Sequence, residues 1–164
     1  MLTTTTLLGD WVTKFYKRLR IYHPKEINEE YICRQLRIFL KRKTAPASYE
    51  VVGRYQGINI DSRAAPDEQR IMFFHELCHI LRHCGNQLLM PEMFRQLQEF
   101  DANNFARIAA IPNHMLNIDF NSIDIVAQMV EIFHVPSKIY EDRIYQIKSR
   151  VDVKMLLYEN LYLL

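Results

Sequence analysis

The sequence has little of what flexible or disulfide-stapled proteins contain. Its 164 residues include only four glycines, six prolines and three cysteines. So few glycines and prolines leave little room for linkers, and we expect a mostly helical domain. The three cysteines are an odd number, and their spacing suggests no disulfide framework, which fits a reducing cytosol. They are Cys33, Cys78 and Cys84.

Long apolar runs and a strong net charge are also missing. No uninterrupted apolar stretch approaches the roughly 20 residues that span a bilayer, and the start MLTTTTLLGDWVTKF lacks the basic and long apolar regions of a signal peptide. We therefore expect a cytoplasmic protein that makes no membrane contact. A formal charge of +2 is too small to imply a nucleic-acid partner, and the basic stripe from Arg37 to Lys43 is typical of a solvated edge.

The composition, 49% hydrophobic and 24% charged, is that of one globular domain. Apolar spacing predicts a first helix from Leu8 to about His23-Pro24 and a second that Asn28 caps. A period of two predicts three short strands. They lie around Ile38 to Arg42, Tyr49 to Tyr55 and Gly57 to Asp61, the last two joined near Gln56-Gly57. If the protein cuts polypeptides, the exposed edge of this sheet could hold substrate as an added strand.

The most informative stretch is His75-Glu76-Leu77-Cys78-His79, an H-E-x-x-H motif inside an apolar run. On a helix the two imidazoles lie one turn apart on one face, so they can reach one metal ion. That geometry suits a catalytic zinc, with Glu76 beside the attacking water as general base. Because the motif is short, an amphipathic helix without metal is the alternative, and a third ligand must decide.

The motif helix is predicted to begin at Pro66 and to end before Gly85 in a left-handed turn. His83 is the nearby candidate for a third ligand. It lies eight residues after His75, roughly 12 Å along a straight helix axis, so the two cannot share a metal ion. We interpret His83 as a histidine at the end of the helix or at the rim of the site.

The next helix, predicted from Pro91-Glu92, offers a carboxylate at Glu99. Wheel counting places Glu99 and Asn103 on a face with three alanines, and small residues let two helices approach closely. They are Ala102, Ala106 and Ala110. Asn103 could hydrogen-bond a ligand. The alternatives for Glu99 are a solvated surface acid, or Asp101 as the ligand, although Asp101 is predicted to project about 200° away, off the alanine face.

Two further amphipathic helices, Ser122 to Phe133 and Ser137 to Arg150, flank His134-Val135-Pro136 in a helix-turn-helix outline. Glu141 and Asp142 lie among the basic residues of the second, so we favour packing or protein docking over DNA binding. Residues 152–164 are predicted to form another apolar helix.

These features resemble the ImmA/IrrE family of metallopeptidases over roughly residues 28 to 150. The matching segments are Asn59-Ile60-Asp61, Glu68-Gln69-Arg70 before HELCHILRH, the stretch Glu99 to Ala106, and Ala110-Ile111-Pro112. Two separated motifs in the right order are far harder to obtain by chance than one. Cys78 replaces the usual Gly, Asp101 a Glu, and Ala110-Ile111 the usual Leu-Met.

The resemblance implies that His75, His79 and Glu99 ligate the metal and that Glu76 is the catalytic acid and base. It also implies that the substrate is a helix-turn-helix repressor, cleaved to switch on genes of a mobile element, prophage or stress response. One zinc ion per chain is expected, and Mn²⁺ or Fe²⁺ also suits such a site. The rival readings are an antirepressor that binds the repressor without cutting it, and a DNA-binding regulator that uses the C-terminal helices.

We predict one α+β domain over 1–164, mostly helical, with a small three-stranded antiparallel sheet packed beside the motif helix. Residues 1–112 would form the catalytic core and residues 113–164 a C-terminal helical part. Peptide hydrolysis also needs a donor for the oxyanion. The sequence does not choose among the candidates His114, Tyr55, Tyr140 and Arg143.

Overall fold

A computed structural model of the chain describes residues 6–85, 89–117 and 123–161, and from residue 150 onward it describes the backbone alone. Within these ranges the helices are α1 Leu7–Arg18, α2 Glu29–Leu36, α3 Pro66–Arg82, α4 Glu92–Ala110, α5 Ile125–Phe133 and α6 Ser137–Leu161. The strands are β1 Phe39–Lys43, β2 Ser48–Val52 and β3 Tyr55–Asp61. The α+β class is confirmed. No helix in the described ranges has the length and apolar character to cross a bilayer.

The three-stranded sheet is mixed, so the prediction of a purely antiparallel sheet was wrong. Its strand order is β1-β3-β2, with β1 parallel and β2 antiparallel to β3. The prediction did not consider that β3, the last of the three strands in the chain, lies between β1 and β2. β3 carries the buried residues Ile58 and Ile60 and takes the centre, whereas β1 and β2 are mostly exposed and form the two edges.

The turn between β2 and β3 lies earlier than predicted. It falls at Gly53-Arg54, between Val52 and Tyr55, rather than near Gln56-Gly57. Gly53 has φ +58°, a left-handed conformation that glycine adopts without strain. Gly57 instead pairs with Phe39 and Glu50 across both ladders.

Local hydrogen bonds explain where α1 ends and where α2 begins. α1 ends at Arg18, about one turn before the predicted end, because Arg20 adopts φ +57° and the amide of Ile21 turns back to bond the Tyr16 carbonyl at 3.0 Å. Burying Ile21 favours this closure. α2 begins as predicted, with the Asn28 side chain accepting a 2.7 Å hydrogen bond from the Tyr31 amide.

Helices α3 and α4 form the centre of the domain and pack along each other, while α3 also covers β2 and β3. The apolar side of α3 is fully buried at Phe73, Phe74 and Leu77. The predicted alanine face of α4 is likewise buried. Because alanines at this contact allow a close approach, side chains from the two helices can meet between them.

The C-terminal part differs from prediction in its boundaries. α5 begins at Ile125, and the predicted start at Ser122 lies outside the described residues. His134 ends this helix with φ +52°. α6 then continues to Leu161, so the predicted separate helix over residues 152–164 is part of it, and residues 162–164 lie outside the described chain.

Candidate metal centre

Helix α3 presents the H-E-x-x-H motif in its last three turns. Pro66 occupies the first turn, as predicted, and the Glu68 carboxylate accepts a hydrogen bond from the Ala65 amide at 3.2 Å. The helix ends at Arg82, and His83 caps it in an extended conformation. The predicted stop was Gly85, which does adopt φ +98° but lies after the helix has already ended.

The side chains of His75, His79 and Glu99, called the triad below, meet between α3 and α4. The two Nε2 atoms are 3.2 Å apart, and the Glu99 carboxylate oxygens lie 3.1 Å from Nε2 of His75 and 3.4 Å from Nε2 of His79. Donors about 2.0–2.2 Å from a tetrahedral zinc ion are themselves roughly 3.3–3.6 Å apart. The donor set and its spacing therefore fit one such ion, with room for a further ligand.

Asn103 orients the outer ring of the triad. Its side-chain oxygen lies 3.2 Å from Nδ1 of His75, one helical turn beyond Glu99. An N–H at Nδ1 that donates to this oxygen leaves Nε2 with its lone pair toward the triad. Asn103 thus occupies the position that the sequence predicted for it.

Glu76 lies beside the triad and is nearly buried, with 8% of its surface exposed. Burial raises the pKa of this carboxyl to about 7, and the neighbouring charge of Glu99 adds to the effect. A cation in the triad would act on the Glu76 pKa in the opposite direction and favour the carboxylate, which is the form a general base requires.

Tyr49 is a neighbour of the site that sequence reasoning missed. Its ring stacks on the ring of His79, with the centroids 4.8 Å apart and an angle of 11° between the planes. Burial raises the pKa of the Tyr49 phenol, and the charges of Glu76 and Glu99 raise it further. The strand period alone predicted β2, but nothing in the sequence indicates that β2 crosses α3 at this histidine.

The burial of His79 favours the neutral form of its imidazole. Burial lowers its pKa to about 4, against the opposing effect of the Glu99 charge. A neutral imidazole is the form that ligates metal ions. Its Nδ1 atom lies 2.9 Å from Nδ1 of His83, which is nearly buried, with 9% of its side chain exposed.

Asp101 faces α3, and the prediction that it projects away from this contact was wrong. Its carboxylate lies 3.0 Å from Nε2 of His83 and accepts a 3.0 Å hydrogen bond from Nε of Arg82. Straight-wheel counting placed Asp101 off the alanine face, but an aspartate can reach partners at the end of a neighbouring helix. Burial raises the pKa of Asp101, yet the hydrogen bonds from Arg82 and His83 outweigh it and lower the pKa.

The four candidate oxyanion donors make other contacts. Tyr140 and Arg143 are fully buried, and His114 and Tyr55 bond to surface side chains. Their partners are the Val135 amide for Tyr140, the Ile111 carbonyl and Asn113 for Arg143, Thr13 for His114 and Lys41 for Tyr55. None of the hydrogen bonds just named, all between described residues, involves a residue of the triad.

Nitrogen and oxygen donors that converge from two helices, next to a buried carboxyl group, define a candidate centre for metal-assisted hydrolysis. A peptidase family model described as the IrrE N-terminal-like domain matches residues 33–145. The match spans more than half of the chain, which therefore belongs to this peptidase family. The resemblance to the ImmA/IrrE metallopeptidases is thereby confirmed.

Two proteins of Bacillus subtilis strain 168 are among the relatives. The phage-like element PBSX protein XkdA is 34% identical over 109 residues, which cover 66% of this chain and 55% of XkdA. The uncharacterized protein YqaB is 34% identical over 113 residues, which cover 69% of this chain and 66% of YqaB. The chain thus matches between about half and two thirds of the length of these relatives.

Proposed function

We propose that this chain is a zinc-dependent endopeptidase in which the triad holds the ion and Glu76 is the general acid and base. The observation that carries the proposal is the meeting of the three triad donors, 3.1 to 3.4 Å apart, beside the buried Glu76 carboxyl. Membership of a peptidase family supports it. Manganese or iron could replace zinc in a nitrogen and oxygen site of this kind.

When bound, the ion polarises the carbonyl group of a peptide bond and lowers the pKa of water to about 7. The Glu76 carboxylate takes a proton from water as the water oxygen attacks the carbonyl carbon. As the carbon–nitrogen bond breaks, protonated Glu76 delivers that proton to the leaving amine. Asn103 and the stacked ring of Tyr49 keep the two imidazoles in place during these steps.

The proposed substrate is a helix-turn-helix repressor of a mobile element or prophage, located in the cytoplasm with the enzyme. The family resemblance suggests this class of substrate, and the name of the relative XkdA refers to a phage-like element. A repressor that loses its DNA-binding part through one cut would release its promoter. We do not assign the C-terminal helices to DNA, because Glu141 and Asp142 place negative charge among the basic residues of α6.

Strand β2 is the proposed place where substrate lies in an extended conformation. It forms an edge of the sheet, and its residue Tyr49 stacks on His79. A peptide added alongside β2 would gain backbone hydrogen bonds and pass close to the triad. The sheet edge and the triad would then share one substrate.

The central test incubates the purified, zinc-loaded protein with the repressor encoded beside its gene. We expect the wild type to produce one discrete pair of fragments by mass spectrometry. Glu76→Gln should lower the cleavage rate by about 100- to 10,000-fold, the usual contribution of a general base, while zinc content stays the same. The exposed Glu92→Gln on α4 is the matched control and should cleave normally.

The outcomes separate the proposed enzyme from its rivals. An antirepressor that binds without cutting would yield no fragment and would relieve repression equally well with Glu76→Gln. A DNA-binding regulator would give a salt-dependent shift of promoter DNA in the absence of repressor. The absence of any fragment would overturn the proposed peptidase activity, and a promoter shift without cleavage would favour the DNA-binding regulator in its place.

Neighbouring proline substitutions test the role of β2. Along an antiparallel edge strand, the backbone N–H and C=O groups of one residue bond the neighbouring strand, and those of the next residue point away from the sheet. One of Glu50→Pro and Val51→Pro should therefore disrupt the pairing with β3 and lower Tm. The other should keep Tm and zinc binding yet lose cleavage at least tenfold. If both prolines leave cleavage unchanged, the substrate does not bind along this edge.

A further inference from the structure

A line of side chains leads from the triad to the far side of the contact between α3 and α4. Nδ1 of His79 lies 2.9 Å from Nδ1 of His83, and Nε2 of His83 lies 3.0 Å from the Asp101 carboxylate. The side chains of His79 and His83 are 2% and 9% exposed, so the two imidazoles are nearly shielded from water, whereas Asp101 at the end of the line is 30% exposed. Nothing in the proposed chemistry uses His83 or Asp101, which we call the relay pair below.

The Asp101 carboxylate, which accepts the last hydrogen bond of this line, determines where the protons lie along it. A carboxylate only accepts hydrogen bonds, so the proton on His83 must be on Nε2 to donate to Asp101. In this tautomer Nδ1 of His83 carries a lone pair and accepts from Nδ1–H of His79. Nε2 of His79 is left with its lone pair pointing into the triad, which is the arrangement that a ligand requires.

Arg82 fixes the position of the acceptor. Its Nε and one terminal nitrogen lie 3.0 and 3.4 Å from the two Asp101 oxygens. The guanidinium also lies over the ring of Trp11, 5.5 Å from the centroid. A carboxylate held by two nitrogens of one guanidinium presents one oxygen to His83 in a defined direction, and the charges of both partners strengthen these hydrogen bonds.

We propose that His83 and Asp101 are positioning residues that fix the tautomer and the ring orientation of His79. The relay pair performs for the inner ring of the triad what Asn103 performs for His75. It differs in that a second imidazole stands between the carboxylate and the ligand. This inference rests on the proposed function, because the orientation of His79 matters for activity only if the triad holds a metal ion.

The same residues could suggest a second metal site instead. Cys78, His83 and Asp101 each offer a ligand atom, and these atoms lie within 4.8 Å of one another. Arg82, however, places a positive charge against the same Asp101 oxygen that faces His83. Both ring nitrogens of His83 already have partners. The geometry therefore favours a hydrogen-bonded relay over a cation at this position.

Three variants test the relay. His83→Phe keeps a ring of similar size but removes both hydrogen bonds, and it should weaken zinc binding by about 10- to 100-fold in competition with a chelator. His83→Gln can accept from His79 through its oxygen and donate to Asp101 through its nitrogen, so it should recover most of that loss. The exposed His23→Phe is the matched control and should bind zinc as the wild type does.

A second readout needs neither zinc nor activity. In the metal-free wild type, ¹⁵N shifts of the His79 ring should show the proton on Nδ1, and His83→Phe should change that tautomer. Zinc binding within threefold of the wild type in His83→Phe, an unchanged His79 tautomer, or two zinc ions per wild-type chain would each overturn the relay. A wild type that keeps the Nδ1–H tautomer but does not bind zinc would instead refute the proposed function alone.

Discussion

Two groups of metal-ligand side chains lie side by side between α3 and α4, and they differ in the charge beside them. The triad combines two imidazoles and a carboxylate, whereas the second group combines Cys78, His83 and Asp101. Beside the triad is the carboxyl group of Glu76, and beside the second group is the guanidinium of Arg82. A negative neighbour attracts a cation and a positive neighbour repels it.

The types of ligand in a cluster therefore do not by themselves identify a metal site. Both groups bring their donor atoms within 4.8 Å of one another. The triad donors converge beside the Glu76 carboxyl group, whereas in the second group the guanidinium of Arg82 occupies the side of Asp101 that a cation would need and binds both of its oxygens. We therefore expect one zinc ion per chain, in the triad, with the second group serving as its support.

The largest expected effect separates the two carboxylates of α4. Glu99→Ala removes a ligand and should weaken zinc binding by more than about 100-fold, beyond the loss that a supporting residue causes. Asp101→Ala removes only the end of the relay and should weaken it by about tenfold. Isothermal titration with zinc measures both. Equal losses in the two variants would mean that the groups do not differ as the comparison requires.

Stability provides the next test of the comparison. Zinc at 100 times its Kd should stabilise the wild type by about 2.7 kcal/mol, because the ion binds the folded chain alone. Urea denaturation with and without zinc measures this difference. Glu99→Ala should lose the stabilisation, whereas Cys78→Ala, in the second group, should retain it. If Cys78→Ala instead loses the stabilisation by zinc, the ion binds in the second group and the comparison is wrong.

Much of the arrangement could be predicted from the sequence because it depends on local periodicity. The helix start at Pro66, the cap at Asn28 and the shared face of Glu99 and Asn103 follow from spacing and capping rules within a few residues. The prediction that Glu99 lies near the two histidines also used the alanines of α4. These small residues can be identified in the sequence, and they are buried in the structure.

The remainder depends on contacts between segments that are distant in the chain. The order of the strands and the stacking of Tyr49 on His79 are set by how the sheet lies across α3, which no local pattern reports. The partner of Asp101 escaped prediction for a different reason. Wheel angles assume a partner directly facing the helix, whereas His83 approaches Asp101 from the extended cap of α3.

The smallest expected effect tests whether the charge of Arg82 excludes a cation from the second group. Arg82→Leu removes the guanidinium from Asp101 and from the Trp11 ring, and it should cost about 1 kcal/mol of folding stability in urea. With that charge gone, a second and weaker zinc equivalent should appear in titrations. Arg82→Lys keeps the positive charge and should bind a single zinc ion. If Arg82→Leu also binds only one, the relay hydrogen bonds rather than the guanidinium exclude the second cation.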